Sequence, residues 1–165
     1  MSHIHHKVLF VCWENSGRSQ MAEAFIREYG SDYFVAESAG FEPGELDPNV
    51  VHVMSEIGVD VNEDRTQSVF DLFTQGESFN IVITVCDESK HEHCPLYPGL
   101  VRRLAWSFPD PTTFTGTRGE ILDQTREVRD QIKAKILDFV EEAKELDFWA
   151  KPFDGATPPS VTIES

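Results

Sequence analysis

No stretch of the 165-residue chain approaches the roughly 18 consecutive apolar residues that a membrane span requires, and no charged-apolar-small leader precedes the first strand-like run. A cytoplasmic protein without membrane contact is therefore expected. Basic residues are scarce as well: 14 Lys and Arg stand against 29 Asp and Glu, a formal charge of −15. Neutralising a phosphate backbone needs clustered Lys and Arg, so nucleic acid is excluded as an expected partner. Cysteine is limited to Cys12, Cys86 and Cys94, too few for a disulfide scaffold and odd in number. In a reducing compartment such cysteines are more often reactive or metal-binding than structural. There is no internal repeat and no glycine-rich dinucleotide fingerprint, and no motif for iron, haem or nucleotide is present. The segment Ser2-His3-Ile4-His5-His6 carries no functional argument.

What is present is an alternation of strand-like and helix-like patterns. Lys7-Val8-Leu9-Phe10-Val11 is a short continuous apolar run, as in a strand buried on both faces of a parallel sheet. Residues 12–17 break the pattern, and from Arg18 the residues Met21, Ala22, Phe25, Ile26 and Tyr29 fall at helical intervals until Gly30. A second strand is expected over Phe34–Ser38, with a loop beginning at Ala39-Gly40. Val50, Val51, Met54 and Ile57 mark a helix ending at Gly58, and Val69–Phe73 a short helix. The β-branched run Ile81–Val85 gives a third strand with Cys86 at its carboxyl end, and Val101–Trp106 a fourth, placed at an edge by Arg102 and Arg103. The last helix carries Ile121, Thr125, Val128, Ile132, Ile136, Phe139 and Ala143 on one face.

These elements predict a single α/β domain over residues 7–146: a three-layer sandwich with a four-stranded parallel sheet and helices on both faces. The extension 147–165 loses the period, carries three prolines and is expected to be loose. In such sheets ligands bind outside the carboxyl ends of the strands. Cys12 and Cys86 both occupy such ends, and a Pro-Asp-Pro turn at 109–111 follows the fourth strand.

Cys12-Trp13-Glu14-Asn15-Ser16-Gly17-Arg18-Ser19 places a cysteine, five residues and an arginine between a buried strand and a helix. The backbone N–H groups of a tight loop can point inward as a nest, and the helix start adds positive potential, which suits a tetrahedral oxyanion. Arg18 can grip two oxygens of that anion. The same field favours thiolate at Cys12, to which the Ser19 hydroxyl can donate. Asn15 suits an unusual backbone conformation within the loop, and Glu14 is expected to face solvent. Trp13 can flank the pocket mouth or pack on the sheet. A small buried cysteine in a turn beside a surface arginine is the plainer reading of the same residues.

Over residues 7–143 the sequence resembles the low-molecular-weight protein tyrosine phosphatase superfamily, and within it the thioredoxin-coupled arsenate reductases. The resemblance runs through residues 8–12 and 15–23, Ser38-Ala39-Gly40, Val82–Cys86, Cys94-Pro95, Trp106–Pro111 and Val128–Ile132. It implies Asp110, between two prolines, as the general acid, where a turn-initiating aspartate is the alternative. It also implies that Cys86 and Cys94 form the disulfide exported from the site. The spacing Cys86-x7-Cys94 is one residue longer than the family pattern. Some relatives bind a monovalent cation through residues matching Asn15, Glu23 and Ser38, but no further ligand is identifiable here and no metal is assigned.

The implied activity is reduction of arsenate to arsenite, with Cys12 as nucleophile, Arg18 holding the anion, and Cys86 and Cys94 relaying the oxidation. No bound cofactor is expected. The reductant would be external, thioredoxin or a similar thiol donor, and phosphate would compete with arsenate. The protein is expected to act as a monomer. The alternative is a phosphatase that hydrolyses phosphoesters through a Cys12 phosphocysteine, with Cys86 and Cys94 as spectators. A non-catalytic redox or metal sensor is a third possibility, and Cys86, His91, His93 and Cys94 could in principle make a zinc site, although their spacings fit no standard finger.

Overall fold

The computed structural model describes residues 6–61, 66–86 and 102–144. Four parallel strands form one sheet in the order β2-β1-β3-β4: β1 His6–Cys12, β2 Phe34–Gly40, β3 Ile81–Thr84 and β4 Arg102–Ala105. The helices are α1 Arg18–Tyr29, α2 Pro48–Ser55, α3 Val69–Thr74 and α4 Arg118–Ala143, with a 3-10 turn at Pro111–Thr113. This is the α/β sandwich that the alternating pattern predicts. The edge position of β4 agrees with its Arg102 and Arg103, which a doubly covered central strand could not house.

Side-chain alternation along β1 divides the interior in two. Val8, Phe10 and Cys12 face a large cluster with Ile81, Ile83 and Val85, built against Met21 and Phe25 of α1 and Ile132, Ile136 and Phe139 of α4. Leu9 and Val11 face a smaller cluster with Val82, Val69 and Leu72, so α3 covers the opposite side. The central strand is thus sealed on both faces. Burying side chains of this size stabilises by roughly 1.5–3 kcal/mol each, which is why the continuous apolar run is needed.

Several boundaries differ from the sequence expectation, each for a tertiary or capping reason. Strand β2 runs on to Gly40 instead of turning into a loop at Ala39, because Ala39 and Gly40 pair with Val11 and Cys12. Helix α2 stops at Ser55, and a turn carries the chain to Gly58, whose φ of +72° suits glycine. Helix α4 begins a turn before Ile121, at Arg118, because Thr117 and Glu120 form a reciprocal capping box. Strand β4 ends at Ala105, and Trp106 then donates its N–H to the Thr84 carbonyl at 2.8 Å. The tail expected to be loose, and Cys94, lie outside the described residues.

Candidate active site

The carboxyl end of β1, the start of α1 and the turn after β4 meet at one cavity of about 300 Å³. It is lined by Cys12, Trp13, Glu14, Ser16, Gly17, Arg18, Asp110 and Thr112. Cys12 is 2% exposed and is a free thiol.

The loop from Trp13 to Gly17 is held open by bonds made on its outer side. The carbonyl of Trp13 accepts the Glu42 N–H, that of Glu14 the Gly44 N–H, and that of Ser16 the Asp47 N–H, at 2.8–2.9 Å. The Asn15 carbonyl accepts from the Gln20 side-chain amide at 3.2 Å. In a trans peptide the N–H opposes the C=O, and there are no cis bonds among the described residues. Tying four successive carbonyls outward therefore turns the N–H groups of residues 14–17 inward. One is seen directly: Asn15 N–H donates to the Cys12 Sγ at 3.1 Å. Asn15 meets this geometry with φ of +59°, a region its short amide tolerates.

Close approach of a neighbouring strand completes the loop. A Cβ on Gly40 would lie 2.7 Å from both the Asn15 nitrogen and the Trp13 oxygen, so only glycine lets β2 reach the loop. Gly17, the N-cap of helix α1, offers no side-chain cap, which leaves the helix's positive end directed at the cavity.

Around the sulfur the polar groups form a chain. Ser19 Oγ lies 2.9 Å from Cys12 Sγ and accepts from the Asn15 Nδ2 at 2.9 Å. With a thiolate at position 12, Ser19 is the donor. Arg18, only 4% exposed, donates through Nη1 to the Phe108 carbonyl at 3.1 Å, and its Nη2 stands 3.4 Å from Asp110 Oδ2. Asp110 is held by its other oxygen, which accepts from the Thr112 N–H at 3.0 Å and from its hydroxyl at 2.8 Å. One carboxylate oxygen thus faces the cavity while the other caps the turn.

Trp13 does both things the sequence allows: it lines the cavity, packs on Phe41 with ring centroids 5.9 Å apart, and donates its indole N–H to Glu42. Glu14 is exposed at the rim. Cys86, 2% exposed, follows Val85, whose N–H bonds to the Val11 carbonyl, so it stands beside the end of β1. Cys94, His91 and His93 fall outside the described residues, and with them the zinc reading. Among the described residues there is no group of three His, Cys, Asp or Glu side chains placed to share a metal.

The residues matching the family's cation ligands are bonded to neighbouring side chains and backbone groups. Glu23 accepts from the Ser38 hydroxyl at 2.6 Å on one oxygen and from Arg27 on the other, so its charge is already balanced. The Asn15 Oδ1 is likewise taken, by the Gln67 N–H at 2.9 Å and Gln20 at 3.3 Å. Gln67 and the Phe108 carbonyl escaped the sequence reading. They contact the loop from distant positions or through the backbone, and no local spacing announces them.

A Cys-x5-Arg loop seated between the first parallel strand and its helix, with an aspartate carried in from behind β4, defines a cysteine-based oxyanion enzyme. The chain belongs to the low molecular weight phosphotyrosine protein phosphatase family, whose sequence profile matches residues 7–147. Within that family it is similar to an arsenate reductase of Shouchella clausii, at 38% identity over 81% of this chain and 94% of that one. Among solved structures, arsenate reductase from Archaeoglobus fulgidus superposes with a TM-score of 0.68 at 29% identity, covering 81% of this chain and 98% of the other. A thioredoxin-dependent arsenate reductase of Corynebacterium glutamicum superposes at 0.61 with 26% identity, over 85% and 62% of the two chains.

Proposed function

We propose that this chain reduces arsenate to arsenite in the cytoplasm, using Cys12 as nucleophile and Cys86 and Cys94 as a relay. The observation that carries the reading is the convergence of a free Cys12 thiol, inward loop N–H groups, the Arg18 guanidinium and Asp110 on one cavity, with a second cysteine at the end of the adjoining strand. Its resemblance to arsenate reductases supports the choice of anion.

Arsenate enters as a dianion, held by the loop N–H groups and Arg18. The Cys12 thiolate attacks arsenic, Asp110 protonates the departing oxygen, and water leaves a Cys12 thiol–arsenate adduct. The Cys86 thiolate then attacks the Cys12 sulfur. The electron pair of the S–As bond passes to arsenic, As(V) becomes As(III), and arsenite departs from a Cys12–Cys86 disulfide. Cys94 attacks Cys86, freeing Cys12 and leaving Cys86–Cys94 oxidised. An external dithiol, thioredoxin or a similar donor, returns the pair to thiols. No bound cofactor is required, and phosphate competes for the same loop.

Disulfide geometry tolerates Cα separations only up to about 7 Å, so the relay requires Cys86 to come within that distance of Cys12 and of Cys94 in turn. A single turnover of fully reduced protein with arsenate tests the scheme, with arsenite assayed and disulfides mapped by mass spectrometry. Wild type is expected to release arsenite with a Cys86–Cys94 bridge, and Cys94→Ser to stop at Cys12–Cys86. Absence of arsenite and of any bridge, with aryl phosphate hydrolysed equally by wild type, Cys86→Ser and Cys94→Ser, would make the chain a phosphatase instead.

A further inference from the structure

Gln67 lies on no catalytic motif and does not line the cavity, yet it touches both the loop and the strand β2 that frame the cysteine. Its backbone N–H donates to Asn15 Oδ1 at 2.9 Å. Its side-chain amide donates to the Ser38 carbonyl at 2.8 Å and to Glu37 Oε1 at 3.0 Å, both on β2. Its carbonyl accepts the Gly40 N–H at 2.9 Å, and the next residue, Ser68, makes a parallel bridge with Gly40. Thr66, on its other side, donates its hydroxyl to the Gly44 carbonyl at 2.6 Å.

The consequence runs through one amide. Asn15 is 0% exposed, so every polar atom it carries needs a partner. With Gln67 N–H, and at longer range Gln20, donating to Oδ1, the Asn15 amide cannot turn over without setting its NH2 against donors. Nδ2 is therefore committed to Ser19 Oγ. That bond occupies an acceptor site of the hydroxyl and leaves its proton for Cys12 Sγ, 2.9 Å away.

We infer that Gln67 is a positioning residue for the nucleophile: its grip on β2 holds its own N–H against Asn15, and through Asn15 and Ser19 it fixes the hydrogen bond that supports the Cys12 thiolate. The inference rests on Cys12 being the reacting thiol. It does not depend on arsenate being the substrate.

The test reads Cys12 directly, as its rate of alkylation by iodoacetamide at neutral pH in full-length protein carrying Cys86→Ser and Cys94→Ser. Gln67→Met keeps the length and loses the amide. It is expected to slow alkylation about 3- to 10-fold, the usual worth of one hydrogen bond. Ser19→Ala is expected to slow it at least as much, and Gln67→Met added to Ser19→Ala to change it by less than about twofold, because both act on the same bond. Both partners of the Gln67 side chain are acceptors, so Gln67→Lys, which keeps a donor, is expected to stay within about twofold of the parent. Glu37→Ala loosens the same grip from the outer side of β2 and gives a second route should Gln67→Met fail to fold. It is expected to slow alkylation in the parent and not in Ser19→Ala. An unchanged rate in the folded variant, or an equal slowing with and without Ser19, would overturn the inference. Arsenite release by the enzyme with all its cysteines, measured separately, reports on the reductase reading alone.

Discussion

Arg18 Nη2 stands 3.4 Å from Asp110 Oδ2, while Nη1 of the same guanidinium is bonded to the Phe108 carbonyl two residues before it. The arginine that follows the loop therefore also docks the turn that brings in the acid. Asp110 in turn keeps its second oxygen on Thr112, so its position does not depend on the ion pair alone.

Separating acid from anchor is possible at this residue. Asp110→Asn retains the Oδ1 that caps the turn and loses the proton donor. We expect kcat for arsenate reduction to fall about 10²- to 10⁴-fold while inhibition by phosphate is retained. Steady-state kinetics with phosphate as competitor checks both parts. An unchanged kcat would leave Asp110 as a turn former only.

Arg18→Lys keeps one positive charge but cannot hold two anion oxygens and the Phe108 carbonyl together. Arsenate KM is expected to rise at least about tenfold, with kcat falling as well because the Asp110 turn loses its tie. Isothermal titration with phosphate reads the binding part independently of turnover.

At Gly40 the obstacle is backbone and cannot swing away. A Cβ there would meet the Asn15 nitrogen and Trp13 oxygen at 2.7 Å and the Glu14 carbonyl carbon at 2.8 Å. Gly40→Ala is expected to cost about 1–3 kcal/mol of stability by overpacking. Activity is expected to fall about 100-fold, because displacing the loop misplaces every N–H that faces the anion. Urea melts and arsenate turnover on the same preparation separate the two effects.

Glu56 joins α2 to α4 through Arg126 and Arg129. Its carboxyl is pushed down to about 2 from the ordinary 4.5, first by the hydrogen bonds from Arg126 and further by the charge of Arg126, by Arg129 and by His52. A value lowered by folding stabilises at pH above the unfolded value and is lost as pH falls through the folded one. Glu56→Gln is therefore expected to lower Tm near neutral pH, with the difference from wild type shrinking below 4.5 and gone near 2. A Tm difference constant across that range would mean that the charge contributes nothing.

In α4 the core outweighs the cap. Ile132 is fully buried between the sheet and α1, and Ile132→Ala is expected to cost about 2–5 kcal/mol. Thr117→Ala, which removes half of the capping box, is expected to cost about 0.5–2 kcal/mol. Urea denaturation ranks the two.

Much of this architecture is legible because it is local. The apolar run of β1, the helical spacing from Met21 to Tyr29 and the stripe from Ile121 to Ala143 each follow from the period of one element. Cys12, Arg18 and Ser19 share one loop and one helix start, so their chemistry can be read from eight consecutive residues. The capping box at Thr117 and Glu120 was equally legible, as a Thr-x-x-Glu before an apolar stripe, and it moves the helix start back by a turn. The end of β2 was not, because its last residues are strand only through their pairing with β1 and the bridge to Ser68.

The sequence by itself determined the order of strands and helices and the identity of the oxyanion loop, since both depend on residues near one another in the chain. Only the tertiary structure decided that Gly40 must be small, that Phe108 and Asp110 meet Arg18, and that Gln67 orients Asn15. Those relations are made between segments far apart in sequence and largely by backbone atoms, which every residue carries alike. A one-dimensional pattern holds no mark of them until folding brings the segments together.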